Sequence, residues 1–372
     1  MRLKLLCVLS LILLCSGCAF RADHSTYFAE QQVLAELSAG QIFAVHPDGN
    51  SLAYVNDGLE LLRLSDGYRQ RLLFDAPDAI LWSADGRQLV AAVREGEQTR
   101  LVQLTTAAET RRQVFVAERI TDLAWLADGS LLAMGQSLEE DGSAVYVQVQ
   151  LLIWDGSRDV ERKPLYRYSY LKPVFEESSF TPQVVHHFDL SPLKDELLYN
   201  RYLDSPAHGG RLELVLYNLQ TTREQVLAVT DNRQFEALFS ADAEHILLPQ
   251  TDEVILLNPW TQKVKQRWSG SGQSLGVADS RDLFLIDGRL QGADRLLLQL
   301  PADAKGQFST DGARLFVVVD RKLYLVEGYS VPEKIQYSDL EKLKLQGIRQ
   351  QRSREEISLR EYYQTRNNIL HP

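Results

Sequence analysis

Trp82-Ser83-Ala84-Asp85-Gly86, followed by apolar runs at 88–93, 100–104 and 112–116, is the stretch that decides how this chain folds. An Asp-Gly pair between short apolar runs reads as a tight turn, because glycine takes positive φ without a Cβ clash. The aromatic ahead of the turn falls where a core strand would bury it. The same pattern returns as Val45-His46-Pro47-Asp48-Gly49, as Trp125-Leu126-Ala127-Asp128-Gly129 and as Phe308-Ser309-Thr310-Asp311-Gly312. Weaker copies stand at Leu190-Ser191-Pro192, Phe239-Ser240-Ala241-Asp242 and Val277-Ala278-Asp279-Ser280. Each copy leads into a strand-like run, then a second, and usually a third. Most units run about 32 to 48 residues, which suits a four-stranded propeller blade, while the third reaches about 66. The count predicts an all-β protein, a seven-blade β-propeller over 42–337. The faint sixth copy leaves six or eight blades as alternatives. A β-sandwich is the rival architecture, and seven recurrences of one turn argue against it.

Outside this span the pattern changes. Residues 18–41 read as a tether that ends in a strand at 32–37, placed to complete the last blade and close the ring. Residues 338–372 read as a short helical extension. Ser338-Asp339-Leu340-Glu341 and Ser353-Arg354-Glu355-Glu356 both fit the capping box, in which serine and glutamate satisfy helix-end amides. The expected helices are 339–345 and 354–367, with a break near Gly347. Ile357, Leu359, Tyr362 and Tyr363 give the second helix an apolar side, which must dock on the propeller or on another protein.

All three cysteines, Cys7, Cys15 and Cys18, lie in the first eighteen residues. Arg2 and Lys4 precede an apolar run at 5–14, and Cys15-Ser16-Gly17-Cys18 follows. A basic start, a short apolar stretch and small residues before a cut describe a signal peptide. The run is about half of what a membrane span needs. Cysteine directly after Ser-Gly resembles the lipobox of bacterial lipoproteins, with Cys15 where that family usually has Leu, Val or Ile. The resemblance implies a signal peptide at 1–17, lipid on Cys18, and a membrane anchor through that lipid. Ala19 rather than aspartate after the cysteine implies the outer membrane of a Gram-negative cell, facing the periplasm. An ordinary secretory signal or an uncleaved anchor helix is the alternative.

The turns resemble the WD-like repeats of the TolB family, best at Trp82-Ser83-Ala84-Asp85-Gly86 and Phe308-Ser309-Thr310-Asp311-Gly312. The resemblance covers about 42–330. The α/β domain that precedes the propeller in that family has no room here. Leu257-Asn258-Pro259-Trp260-Thr261-Gln262-Lys263-Val264, ending in Trp268, is similar to a quinoprotein-type repeat, as in BamB-type lipoprotein propellers, with Gln262 in place of the usual glycine.

The net charge of −10 becomes −12 without Arg2 and Lys4, which disfavours nucleic acid as a partner. No catalytic motif, cofactor motif or metal-ligand spacing stands out. The seven histidines are scattered. His46, in the first turn, reads as structural. Adjacent His186 and His187 would point to opposite faces of a strand and do not suit one metal. The long third unit reads as carrying an insertion at about 155–187. Its Tyr166, Tyr168, Tyr170, Phe175 and Phe180, with Tyr362 and Tyr363 at the C-terminus, are the candidate contacts for an envelope protein partner. The other reading of Tyr166, Tyr168 and Tyr170 is alternation on a strand against the next blade. The expected function is a non-catalytic interaction platform. The alternative is an enzyme or a small-molecule or glycan binder with its site in the central channel.

Overall fold

The computed structural model describes residues 32–107, 109–171, 187–202, 211–230, 236–292, 295–329 and 331–371, apart from the side chains of Arg111, Tyr170 and Leu171. The expected signal peptide at 1–17 and Cys18 lie outside the described residues, as do Phe175, Phe180 and His186.

Seven antiparallel sheets of four strands each follow one another around a ring. The first strands of successive sheets touch, so they are the innermost: Phe43–Val45, Ala79–Trp82, Arg119–Trp125, Phe188–Leu190, Leu238–Phe239, Leu275–Val277 and Lys305–Phe308. The molecule is a seven-blade β-propeller. Seven apolar clusters account for the core, and each joins a neighbouring pair of blades. Burial between blades, rather than within any one of them, therefore holds the ring, since a single sheet cannot cover its own faces.

The ring closes with chain from the far end. Blade 7 takes its inner three strands from Lys305–Phe308, Leu315–Val319 and Lys322–Val326, and its outermost from Ala35–Glu36. Ala35 pairs with Leu323, and Leu37 is fully buried. The strand expected at 32–37 thus completes the last blade, although its paired part is two residues long.

The Asp-Gly turn joins the first strand to the second in blades 1, 2, 3 and 7. In the second blade Ser83 N–H donates to the Gln88 carbonyl at 2.8 Å, and Gly86 N–H to the Ser83 carbonyl at 2.9 Å. Ser83 Oγ–H donates to Asp85 Oδ1 at 2.6 Å, and Arg87 N–H donates to the same oxygen. Gly86 has φ +69°, and a Cβ there would lie 2.3 Å from His46 Nε2. His46 itself bridges two blades: its Nε2 is 2.8 Å from the Gly86 carbonyl and its ring stands edge-on to Trp82 at 4.8 Å. The weak copies keep the turn without the glycine. Lys194 and Ala243 sit at φ +62° and +55°, and their N–H groups donate to Ser191 and Ser240 as Gly86 does to Ser83.

Two helices follow the last blade, α1 (Asp339–Ser353) and α2 (Leu359–Leu370). Two expectations are corrected here. First, α1 runs straight through Gly347, because Leu345, Ile348 and Arg349 on its inner side are all buried. Tertiary contact outweighs the roughly 1 kcal/mol that glycine costs a helix. Second, the cap of α2 is Ser358 with Glu361, not Ser353 with Glu356. Ser353 is the last residue of α1, and its hydroxyl lies 2.5 Å from that of Thr221. Ser358→Ala is accordingly expected to cost about 1 kcal/mol in urea unfolding, the usual loss for an N-cap. Among the described residues, no helix is long and apolar enough to cross a membrane.

The third blade is long because its strands are long. Leu131–Asp141, Ala144–Trp154 and Glu161–Leu171 are eleven residues each. Most of the described part of the supposed insertion at 155–187 is therefore the blade's own outer strand.

Candidate functional site

Two places gather functional groups: the channel wall at blades 3 to 5, and the face of blades 4 and 5 beneath the helix pair.

At the channel, Asp122, His187, Asp189 and Glu236 line a cavity of about 100 Å³ with Tyr199 and Asn200 behind them. His187 Nδ1 lies 3.4 Å from Asp122 Oδ2, and Nε2 lies 3.6 Å from Glu236 Oε1. Burial works against a charge on His187, but the hydrogen bond and charge of Asp122 and the charge of Glu236 prevail and raise its pKa. Burial pushes the Asp189 carboxyl up to about 7, against the Phe239 N–H that donates to it and with Asp279 adding repulsion. Asp279 is itself raised by burial, with Lys194 opposing. The wall thus carries a histidine that favours its proton and carboxyl groups that give theirs up late.

These polar groups also stitch the ring. Asp122 Oδ2 accepts from Phe188 N–H at 3.2 Å, joining blade 3 to blade 4. Asp189 Oδ2 accepts from Phe239 N–H at 2.5 Å, joining blade 4 to blade 5. Gln307 Oε1 accepts from Val45 N–H at 3.4 Å, where blade 7 meets blade 1. None of the three was singled out in the sequence. The available signal was a polar residue one or three places before the turn's apolar residue, which puts all of them on one side of an inner strand. Among the described residues, no group of three His, Cys, Asp or Glu side chains is placed to hold a metal ion.

The aromatic candidates in blade 3 are placed as follows. The Tyr166 ring stacks on Tyr199 at 6.1 Å, and its hydroxyl donates to the Asn200 carbonyl at 3.0 Å. Tyr168 is buried with its ring 5.0 Å from Tyr202. Alternation along the outer strand turns both rings onto blade 4, which corrects their assignment as partner contacts. Tyr170 ends the same strand, but its side chain, like Phe175 and Phe180, is outside the described residues.

The helix pair docks on the propeller itself, over the turns of blades 4 and 5. Arg349 is fully buried between Asp195, at 3.4 Å, and Glu196, with its guanidinium over the Trp260 ring at 5.0 Å. Burial works against the Arg349 charge, yet the two carboxylates raise its hold on its proton. Tyr362, also fully buried, donates its hydroxyl to Glu244 Oε1 at 2.7 Å, and Arg366 Nε lies 2.9 Å from the same oxygen. Leu193, Ala243, Leu345, Ile348 and Tyr362 form an eighth apolar cluster. Tyr362 is thus corrected from partner contact to core. Tyr363 is half-buried, and its hydroxyl accepts from Asn258 Nδ2 at 2.6 Å.

That asparagine belongs to a turn that sequence reading caught only once. Asn258 Oδ1 accepts from Trp260 N–H, Thr261 N–H and Thr261 Oγ–H, and Gln262 takes φ +58° where the repeat usually has glycine. Asn218 does the same for Gln220 and Thr221, with Thr222 at φ +57°. The shared Asn-x-x-Thr spacing was the sequence signal for the second copy.

No protein-family model matches this chain, and no curated protein does. Among solved structures it is similar to the Dos1 propeller at 12% identity, covering 83% of this chain and 96% of that one, with a TM-score of 0.46. The propeller rests on the seven sheets themselves, and the likeness to TolB and BamB-type repeats rests on the turn residues alone.

Proposed function

We propose that this chain is a lipid-anchored β-propeller that faces the periplasm from the outer membrane of a Gram-negative cell and serves as a non-catalytic platform for another envelope protein. The observation that carries the reading is the position of the cysteines, all three within the first eighteen residues and the last of them directly after Ser-Gly. A thiol left free in an oxidising compartment is unusual, whereas a lipidated one is an anchor. Residues 19–34 separate Cys18 from the strand that closes the ring.

The inner-strand groups add support. Asp122, Asp189 and Gln307 are taken up by backbone amides of the next blade, which stiffens a disc rather than presenting a reactive group. Large apolar side chains remain outward at Phe74, 82% exposed, and at Leu340 and Leu343 of α1, 61% and 66% exposed. These replace the buried tyrosines as the surface available to a partner.

Cys18→Ala is expected to move the protein from the membrane to the soluble fraction, and mass spectrometry of the wild-type N-terminal peptide to find acyl chains on Cys18. An unmodified Cys18 in the membrane fraction would sink the anchor. Crosslinking in intact envelopes then identifies the partner.

A ligand or substrate in the channel is the second reading, favoured by His187 lying between Asp122 and Glu236. Capture of the partner is indifferent to His187→Gln under the platform reading. Loss of a bound small molecule on that change would favour the channel.

A further inference from the structure

A cleft of about 430 Å³ opens between blade 5 and α2, lined by none of the residues of the channel cavity and unused by the platform reading. Its floor comes from the first turn of blade 5, with Asp242, Glu244 and His245. One wall is the strand that follows the Asn258 turn, with Lys263, Val264 and Lys265, and the other is α2, with Tyr363 and Arg366. It exists only while the helix is docked.

The acceptors of Asp242 in this cleft are already taken. Asp242 Oδ1 accepts from Ser240 Oγ at 2.5 Å and from the N–H groups of Glu244 and His245. Asp242 Oδ2 lies 2.8 Å from His245 Nδ1 and 3.9 Å from Lys265 Nζ. Burial works against its charge, but His245 and these donors hold it well below the usual carboxylate range. Glu244 Oε1 accepts from the Tyr362 hydroxyl and pairs with Arg366, while its Oε2 is buried without a hydrogen bond among the described residues.

The donors are not all taken. With Nδ1 facing Asp242, the other ring nitrogen of His245 becomes a donor when the ring is protonated. Tyr363 accepts from Asn258, which leaves its own proton for a ligand. Lys263 forms no ion pair among the described residues, and its side chain is exposed. Three fixed cations, Lys263, Lys265 and Arg366, line a concavity that holds two carboxylates, in a chain whose net charge is −10. Cationic walls with surplus donors select an anion. The volume lies in the range of small-ligand sites.

We propose that this cleft binds a small organic anion through its phosphate or carboxylate group, held by Lys263, Lys265 and the Tyr363 hydroxyl, and by His245 once its ring is protonated, with the Tyr363 ring and Val264 against its apolar part. Lysine supplies the charge and the hydroxyl the direction. Because α2 forms one wall, occupancy also tightens the helix on the disc.

Calorimetric titration of the full chain in detergent tests this, using inorganic phosphate and acetate in turn at constant ionic strength. The expected result is saturable binding of at least one, with a dissociation constant no weaker than about 1 mM. Phosphate alone marks a phosphoryl ligand, acetate alone a carboxylate, and both mark a site that reads charge. Lys263→Gln with Lys265→Gln is expected to weaken binding at least about tenfold, and Tyr363→Phe roughly threefold, as charged and neutral hydrogen bonds are lost. Both lysines are exposed, so the double variant keeps its fold, which circular dichroism checks. Lys305→Gln, at the channel, leaves binding unchanged. No saturable heat with either anion, or heat indifferent to the double variant, overturns the proposal.

Discussion

Arg349→Met is expected to unseat the C-terminal helix pair at a cost of about 3–5 kcal/mol, the range for breaking a buried ion pair from one side. The guanidinium is fully buried against Asp195 and Glu196, carboxylates at the base of a blade 4 turn. Methionine keeps most of the side-chain stem, so lost packing is a minor part of the cost. The major part is two carboxylates left in a dry interface without their cation. Urea unfolding should gain a transition at low denaturant with loss of helical circular dichroism, while the strand signal persists. Limited proteolysis should cut between Val326 and Asp339. Adding Glu196→Gln should restore part of the loss, because one of the stranded charges is gone. A single variant within about 1 kcal/mol of wild type, with the segment still protected, would show that Leu345, Ile348 and Tyr362 hold the helices alone.

The sequence made the repeat legible where the turn was complete, because Asp and Gly there have a local job that nothing else performs. Trp82-Ser83-Ala84-Asp85-Gly86 announces its own hydrogen bonds. The copies in blades 4 and 5 looked decayed, and the structure explains why. Leu193 and Ala243 belong to the apolar cluster under the helices, and Asp195, Glu196 and Glu244 supply that cluster's charged partners. A repeat departs from its pattern where a neighbour imposes a second requirement, so two of the three weak copies marked the docking face. The Arg349 partners stand 153 residues away in the chain, and no local spacing could join them. Helix ends were half legible for a related reason. Two serines competed for the second cap, and only burial along α1 decided that Ser353 belongs inside it. The channel acids were missed because one aspartate on an inner strand, such as Asp189 on the three-residue Phe188–Leu190, makes no periodic pattern of its own. For the tyrosines of blade 3 the sequence allows both a partner contact and packing on the next blade, and it is the neighbouring Tyr199 and Tyr202, more than thirty residues away in the chain, that decide for packing.

Asp189→Asn is expected to flatten the dependence of stability on pH and to stabilise the protein near pH 8. Burial raises this carboxyl from an ordinary 3.8 to about 7; the Phe239 N–H and Lys194 work against the rise, and Asp279 and Asp122 add to it. Between those values the folded chain holds a proton that the unfolded chain has released. The stabilisation is therefore fully present below 3.8 and is lost as the pH rises through about 7. The gap corresponds to roughly 4 kcal/mol, and screening by channel water brings the expected effect to about 2–4 kcal/mol. Asparagine keeps an oxygen for the Phe239 amide and carries no charge, so the bond between blades 4 and 5 survives while the titration disappears. His187 and Asp279, both raised, push the same way and leave a residual slope in the variant. Asp242, lowered, acts only below its ordinary value and so outside this window. Urea midpoints measured from about pH 5 to about pH 8 decide the matter. A wild type that gains stability on acidification, beside a variant with a shallower slope, places a proton on Asp189 in the folded ring. An unchanged slope would assign the proton to the other raised groups, His187 and Asp279 at the channel and Glu196, Glu244 and Asp282 outside it, and leave Asp189 as a permanently charged stitch between two strands.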